Sequence, residues 1–313
     1  MKPGREAGPQ STGRVVASHG RDASVVDDSG REIHCRLQGR RLAVVCGDRV
    51  RWTPAHTEAG AGLIVEVLPR RNLLARIDSR GAAEPVAANL TQLVAVVATI
   101  PAADFGLCDR YLAAAEWNGL AACVVANKCD LDDASGTLAP TLEDYARIGY
   151  PVLRTSKRLA EGVDALRERL AGETSALVGQ SGVGKSSLTN RLIPGVEAAV
   201  DEVSRASESG RHTTSTASLY ALPSGGELID SPGVRDFAPP LPAPRNIAGG
   251  YREIAVAAAD CRFRDCLHLR EPGCAVAEAN LAGRVSARRL DSYRRLLTLA
   301  GQLAGRGPPR LRR

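Results

Sequence analysis

At 313 residues, 44% hydrophobic and 24% charged, the chain reads as an ordinary globular protein of two or three domains, with cores resting on Ala, Val and Leu because aromatic residues make up only 4%. No apolar run approaches bilayer length and the start MKPGREAGPQSTG holds no hydrophobic stretch, so neither a membrane span nor a signal peptide is expected and the expected compartment is the cytoplasm. The net charge of +6 is unevenly spread: 14 basic and 9 acidic side chains in residues 1–80, 13 and 20 in 81–240, 14 and 6 in 241–313, so two basic ends flank an acidic middle.

Residues 1–10, rich in Gly and Pro, are expected to form a disordered tail. Residues 11–69 then carry short β-type runs, TGRVVAS, ASVVDD, REIHCRL, GDRVRWT and GLIVEVL, with a hairpin signal at Asp28-Ser29-Gly30. Five short strands without a helical period predict a small β-barrel of the OB type, although an SH3-like barrel would show the same pattern. Arg36, Arg40, Arg41, Arg49 and Arg51 would decorate it, either as solvated charge or as phosphate contacts.

The polar, turn-rich stretch 70–85 reads as a linker, and after it the period changes. QLVAVVAT is an unbroken apolar run of the kind a buried parallel strand shows; a helix near Cys108–Asn118, strands in ACVVAN and GYPVLRTS, a helix near Gly162–Leu170 and a strand in SALVG follow. Residues 86–240 are therefore expected to form an α/β domain on a parallel sheet. Beyond PPLPAP, residues 241–313 hold a small Cys/His region, an amphipathic helix from Ser286 with Leu290, Tyr293, Leu297 and Ala300 on one face, and a basic tail.

GQSGVGKSS, from Gly179 to Ser187, matches G-x-x-x-x-G-K-[ST] between a predicted strand and a predicted helix. Its residues Gly179, Gln180, Ser181, Gly182, Val183, Gly184, Lys185, Ser186 and Ser187 would turn backbone N–H groups onto phosphate oxygens at a helix N-terminus. Lys185 would reach the β- and γ-phosphates and Ser186 would hold Mg²⁺. Downstream, LIDSPG ends a strand on Asp230, placed to hold the magnesium through water, with Gly233 placed to sense the γ-phosphate. The same four residue types are those of an ordinary β-turn, and it is the preceding phosphate loop that favours the nucleotide reading. Thr213 and Thr214, in SGRHTTST, are candidates for a second magnesium hydroxyl.

The base is read from VVANKCD. Asn127, Lys128 and Asp130 follow a buried strand, and the Asp130 carboxylate there could accept from both N1–H and the exocyclic amine of guanine. Adenine lacks both donors and would leave the carboxylate unpaired, a discrimination worth roughly 10⁴-fold. RTSK, with Thr155, Ser156 and Lys157, resembles the short loop whose backbone touches the guanine carbonyl oxygen. In Ras-like GTPases the phosphate loop precedes these guanine loops. Here the order is NKCD, RTSK, GQSGVGKS, RHTT, DSPG, so the domain resembles a circularly permuted GTPase, a rearrangement made tolerable by domain termini that lie close together.

Among the eight cysteines, Cys35, Cys46, Cys108, Cys123 and Cys129 are scattered, as suits a reducing compartment, while Cys261, Cys266 and Cys274 crowd around His268 in DCRFRDCLHLREPGC. Three thiols and an imidazole predict one structural Zn²⁺ in a closed tetrahedral site.

Barrel, permuted GTPase and C-terminal Cys-Cys-His-Cys segment together resemble the ribosome small-subunit-dependent GTPase A family (RsgA, also YjeQ), from about Thr12 to Leu299. The resemblance implies a multidomain cytoplasmic GTP phosphohydrolase that binds the small (30S) ribosomal subunit and its rRNA late in subunit maturation, cycles between GTP and GDP, and works as a monomer without membrane contact. It also singles out His212 to orient the attacking water, because Val234, the residue after Gly233, stands where Ras-like enzymes place a glutamine. Two other readings stay open on the residues alone: a metabolic P-loop enzyme, and an RNA-binding scaffold with a regulatory nucleotide pocket.

Overall fold

The computed structural model describes residues 10–54, 61–77, 82–131, 136, 138–156, 160–195, 217–230 and 239–305. Five strands come first: β1 (Ser11–His19), β2 (Asp22–Asp27), β3 (Glu32–Leu37), β4 (Arg49–Pro54) and β5 (Gly62–Val67). β1 pairs antiparallel with β2 and β4, β3 pairs antiparallel with β2 and parallel with β5, and β4 pairs antiparallel with β5. The order 1-2-3-5-4 thus returns to β1, the closed Greek-key barrel of the OB type. Alternate side chains fill it, with Val15, Val25, Ile33, Cys35, Leu37, Val50, Trp52 and Ile64 buried. The expected turn after β2 is held by Asp27, whose Oδ1 accepts from the Ser29 amide at 2.9 Å and the Arg31 amide at 3.0 Å.

Residues 70–85, read above as a linker, depart from that expectation. β6 (Leu73–Ile77) and β7 (Ala83–Ala88) form an antiparallel hairpin whose Leu74, Val86 and Ala87 are buried. Its outward face carries the Arg76–Glu84 ion pair, and that polar face hides the strands in the sequence.

The α/β region has five parallel strands in the order β10 (Val152–Arg154), β9 (Ala121–Asn127), β8 (Gln92–Ala98), β11 (Thr174–Val178), β13 (Glu227–Asp230), with β12 (Ala217–Ala221) antiparallel at the edge. Both faces are covered, which explains the unbroken apolar run of β8. Ala95, Val97, Ala122 and Val124 pack towards α1 (Phe105–Trp117) and α2 (Ala139–Ile148). Val94, Val96, Cys123 and Val125 pack towards α3 (Ala160–Leu170) and α4 (Lys185–Leu192). Helix α2 and strand β12 went unanticipated in the sequence.

The C-terminal part has a 3-10 turn over Pro244–Gly250, then α5 (Arg252–Ala258), α6 (Ala275–Leu281) and α7 (Ala287–Ala304). The predicted stripe of Leu290, Tyr293, Leu297 and Ala300 is buried, packed with Ile247, Tyr251 and Ile254. Ser286 caps α7, accepting from the Arg289 amide. Among the described residues no helix is long and apolar enough to cross a membrane.

Two seams tie these parts together. At the first, β1 pairs antiparallel with β12 through Ala17–Ser218 and Ser18–Ala217, so the barrel continues the α/β sheet. Arg14 on β1 pairs with Glu227 on β13 and donates to Thr174 Oγ1 at 3.2 Å, and the Cys46 thiol donates to the Ala217 carbonyl at 3.0 Å. The second seam is ionic and buried: Arg289 of α7, fully enclosed, donates to Asp109 of α1 at 2.9 Å and to Glu253 of α5 at 2.7 Å. Burial disfavours its charge, but Asp109 and Glu253 outweigh that and push the guanidinium well above its ordinary value.

Gly47 lies where barrel and sheet meet, at φ +90°, and a Cβ there would sit 2.1 Å from the Ala88 carbonyl oxygen. Gly47→Ala is expected to destabilise the protein by about 2 kcal/mol or more, through the left-handed backbone and the clash together, read as a lower midpoint in urea denaturation.

Candidate functional site

Every described site residue of the α/β region stands at the carboxyl ends of the parallel strands, where open α/β sheets bind ligands. β9 ends on Asn127, β10 runs into Thr155 and Ser156, β11 into Gly179, and β13 ends on Asp230. The phosphate loop then feeds α4, whose N-cap is Gly184 in the left-handed region at φ +98°. Eight residues of helix follow with their N-terminus open towards the loop.

The two motifs that the sequence separates by some fifty residues meet here. Asn127 Nδ2 donates to the Val183 carbonyl at 2.8 Å, and Lys128 Nζ donates to the Gly182 carbonyl at 2.6 Å and to Ile100 at 2.8 Å. Thr155, fully buried, donates through its hydroxyl to Asn127 Oδ1 at 2.9 Å, while its carbonyl accepts from the Cys129 amide at 3.1 Å. Lys128 adopts the left-handed region, φ +59°, which turns the chain sharply out of β9. Asn127, Lys128, Asp130, Ser156, Gly184 and Ser187 border a common cavity of about 270 Å³, with Leu131, Leu188 and Arg191.

Lys185 is buried, and its ammonium donates to the loop's own carbonyls, Gly179 and Gln180, the latter at 2.9 Å. The side chain is thus folded into the loop, where phosphate oxygens could exchange for these carbonyls. Gln180 also reaches outward, its Oε1 accepting from the Asp104 amide at the start of α1 at 3.3 Å. Ser186 is buried in the first turn of α4. Lys157, His212, Thr213, Thr214, Gly233 and Val234 lie outside the described residues.

Sequence reasoning missed Leu131, Leu188 and Arg191. A signal existed, since Gly184, Ser187, Leu188 and Arg191 follow the i, i+3, i+4, i+7 spacing of one helical face.

The second cluster lies in the C-terminal part. One ligand atom each from Cys261, Cys266, His268 and Cys274 falls within 4.8 Å of the others. His268 Nδ1 is 3.6 Å from Cys261 Sγ and 3.5 Å from Cys274 Sγ. A tetrahedral cation bound at about 2.3 Å to sulfur and about 2.0 Å to nitrogen needs a nitrogen–sulfur spacing of about 3.5 Å, so the set fits a metal ion. Burial lowers the His268 imidazole's affinity for protons, favouring the neutral form that ligation requires. His268 is itself left-handed at φ +58°, and the loop around it is braced by Glu271. That carboxylate accepts from the Leu267, Leu269 and Arg270 amides at 2.9, 2.7 and 3.0 Å. Burial opposes the charge, but these donors outweigh it and hold Glu271 down at about 2.

The comparisons with known proteins agree with this geometry. The family model described as RsgA GTPase matches residues 67–239. The chain belongs to the RsgA GTPase family. It is 43% identical over 300 residues to the small ribosomal subunit biogenesis GTPase RsgA of Ectopseudomonas mendocina (strain ymp), covering 94% of this chain and 87% of that protein. The RsgA of Azotobacter vinelandii is likewise 43% identical, over 301 residues, with the same coverage. Among solved structures, YjeQ from Thermotoga maritima is 33% identical with a TM-score of 0.76, covering 93% of this chain and 99% of that one. YloQ, described as a circularly permuted GTPase, is 26% identical with a TM-score of 0.72, covering 96% and 98%. Family membership bears out the barrel, the permuted GTPase domain and the C-terminal cluster that can hold a metal.

Two outcomes follow from the geometry. A Cβ on Gly184 would lie 2.4 Å from Asn127 Nδ2 in an already left-handed backbone, so Gly184→Ala should abolish guanine-nucleotide binding in equilibrium titration by forcing the two loops apart. Glu271's stabilisation is present above its unfolded value of about 4.5 and fades as pH falls towards 2, because its folded value is depressed. Urea midpoints of wild type and Glu271→Gln should therefore differ at pH 7 and close the gap only as pH falls from about 4.5 towards 2.

Proposed function

We propose that the protein hydrolyses GTP to GDP and phosphate during biogenesis of the small ribosomal subunit, as the names of its relatives state of them, and that the cavity between the Asn127–Asp130 loop and the phosphate loop is the GTP site. The observation that supports the site is the pair of contacts from Asn127 and Lys128 onto the phosphate-loop carbonyls, which make one pocket of two motifs. The metabolic-enzyme and scaffold alternatives have no such support, since the family is one of GTPases.

In this reading Asp130, on the cavity wall, accepts from the guanine edge, and the Thr155–Ser156–Lys157 loop meets the base carbonyl. The stem of Lys128 lies along the purine. Gly179 to Ser187 wraps the phosphates, with Lys185 exchanging its loop carbonyls for β- and γ-phosphate oxygens. Ser186, Asp230 and one of Thr213 and Thr214 would hold Mg²⁺, whose chemistry is to neutralise charge between the β- and γ-phosphates. Gly233 would sense the γ-phosphate and His212 would orient water. Because Val234 cannot orient water, the free enzyme is slow and gains its missing geometry on docking.

The cation of Cys261, Cys266, His268 and Cys274 is Zn²⁺ in this reading, on the tetrahedral spacing and the soft donor set, and its role is structural. The partners are GTP, GDP and the small (30S) subunit with its rRNA, approached by the two basic ends. The protein acts in the cytoplasm as a monomer.

The deciding experiment measures GTP turnover with and without purified small subunits. Wild type should be stimulated, and Asp130→Asn, which replaces an acceptor by a donor, should lose at least about hundredfold in GTP affinity while gaining xanthosine triphosphate. Turnover indifferent to small subunits, or ATP used as readily as GTP, would overturn the reading.

A further inference from the structure

Arg191 has no place in any nucleotide motif, yet it stands on the wall of the nucleotide cavity. It closes α4, the helix whose first turn carries Lys185 and Ser186. Its Nη1 donates to the Ser156 carbonyl at 2.6 Å, crossing from the phosphate helix to the base loop. Ser156 and its neighbour Thr155 are both buried. Thr155 is tied on its other side to Asn127 and to the Cys129 amide, so the base loop is gripped between the Asn127–Asp130 loop and α4. Arg191 is itself anchored: its carbonyl, at the open end of α4, accepts from Arg167 Nη2 at 2.9 Å, and Arg167 pairs with Asp164 on α3.

We propose that Arg191 is a positioning residue for guanine recognition, a clamp that presets the backbone of Ser156 before the base arrives; this rests on the cavity being the guanine site. The Thr155 carbonyl, held by the Cys129 amide at 3.1 Å, shares a planar peptide unit with the Ser156 N–H, and Arg191 pins the Ser156 carbonyl that follows, so the Ser156 backbone donor is held from both sides. The base loop reads the purine through its backbone, and backbone donors have no side-chain rotamer with which to correct a misaligned plane. A guanidinium suits the task because it offers a rigid planar fork of donors, whereas a lysine would supply a mobile point charge. One short helix thereby grips phosphates at its first turn and aligns base recognition at its last, about 9 Å away at 1.5 Å per residue over the six steps from Lys185 to Arg191. Base and phosphate binding are coupled through α4 as a rigid element.

The test compares wild type, Arg191→Lys and Arg191→Met by equilibrium binding of GTP, inosine triphosphate and the triphosphate of 2-aminopurine riboside, with circular dichroism as the check of folding. Inosine keeps the base carbonyl and N1–H and loses the exocyclic amine; 2-aminopurine keeps the amine and loses both the carbonyl and N1–H, so its affinity for wild type is already lowered at Asp130 and only the ratio of variant to wild type is compared. If Arg191 aligns the loop that meets the carbonyl, Arg191→Met should weaken GTP and inosine triphosphate alike, each by about tenfold, as the loss of one oriented hydrogen bond predicts. The 2-aminopurine nucleotide, with no carbonyl to meet the loop, should bind wild type and variant equally. Arg191→Lys, the gentler change, should show the same selective pattern in smaller degree. Equal weakening of all three nucleotides in either folded variant, or no weakening of any, overturns the proposal. Should the cavity not be a guanine site at all, wild type would itself fail to prefer GTP over ATP, a result separable from any change at Arg191.

Discussion

The arrangement depends on one short stretch of hydrogen bonding, the donation from Asn127 and Lys128 into the carbonyls of Val183 and Gly182. Each motif alone is a loop at the end of a strand. Joined, they become two walls of one cavity, which the proposed function assigns to a base on one side and phosphates on the other. The carbonyls of Gly182 and Val183 at the turn of the phosphate loop need donors. Asn127 and Lys128 supply them. The junction therefore satisfies the backbone that makes the loop work, which is why the order in which the chain visits the two motifs matters little to the finished site.

The rest of the molecule is fastened to this centre by two different kinds of chemistry. The barrel is joined through backbone pairing and the Arg14–Glu227–Thr174 cluster, a partly exposed seam. The C-terminal part is joined through Arg289 and Asp109, both enclosed, with Tyr145 also donating to Asp109 at 2.7 Å. A buried charge network of this kind contributes little net stability when whole, but leaves an uncompensated charge if either side withdraws, so it favours one fixed docking over several loose ones. Arg110 on the same helix α1 donates to the Pro239 carbonyl at 3.0 Å, just beyond the segment that contains Gly233. Helix α1 is thus the common floor on which the Cys/His-bearing part and Pro239, just past that segment, both rest.

Much of this was legible in the chain, and the limits of legibility have physical causes. The phosphate loop, NKCD and the Cys/His cluster were readable because their chemistry demands particular side chains at fixed spacings. Strands β8, β9 and β11 were readable because burial on both faces leaves only apolar residues. The hairpin β6–β7 was not, since one face is polar and Pro85 sits within it. Nor was helix α2, which buries only Leu142 and Tyr145 and so carries too thin an apolar stripe to announce itself. The β1–β12 pairing joins residues about two hundred positions apart through backbone groups alone, which leave no trace in side-chain pattern. Arg191 lay between these cases: its helical spacing from Gly184 was a signal that went unread, and nothing in its identity said that it would reach a carbonyl on another loop.

The pairing of β1 with β12 also bears on how the chain can be divided. Strand β12 would otherwise be the rim of the central sheet, and its amides and carbonyls on that side would face water with nothing alongside. Excising the barrel to obtain a smaller catalytic fragment would expose that rim together with the socket of Gly47 and the acceptor of the Cys46 thiol. An open rim of this sort recruits other chains. The barrel thus serves the catalytic core as a cover for a sticky border, whatever else it touches.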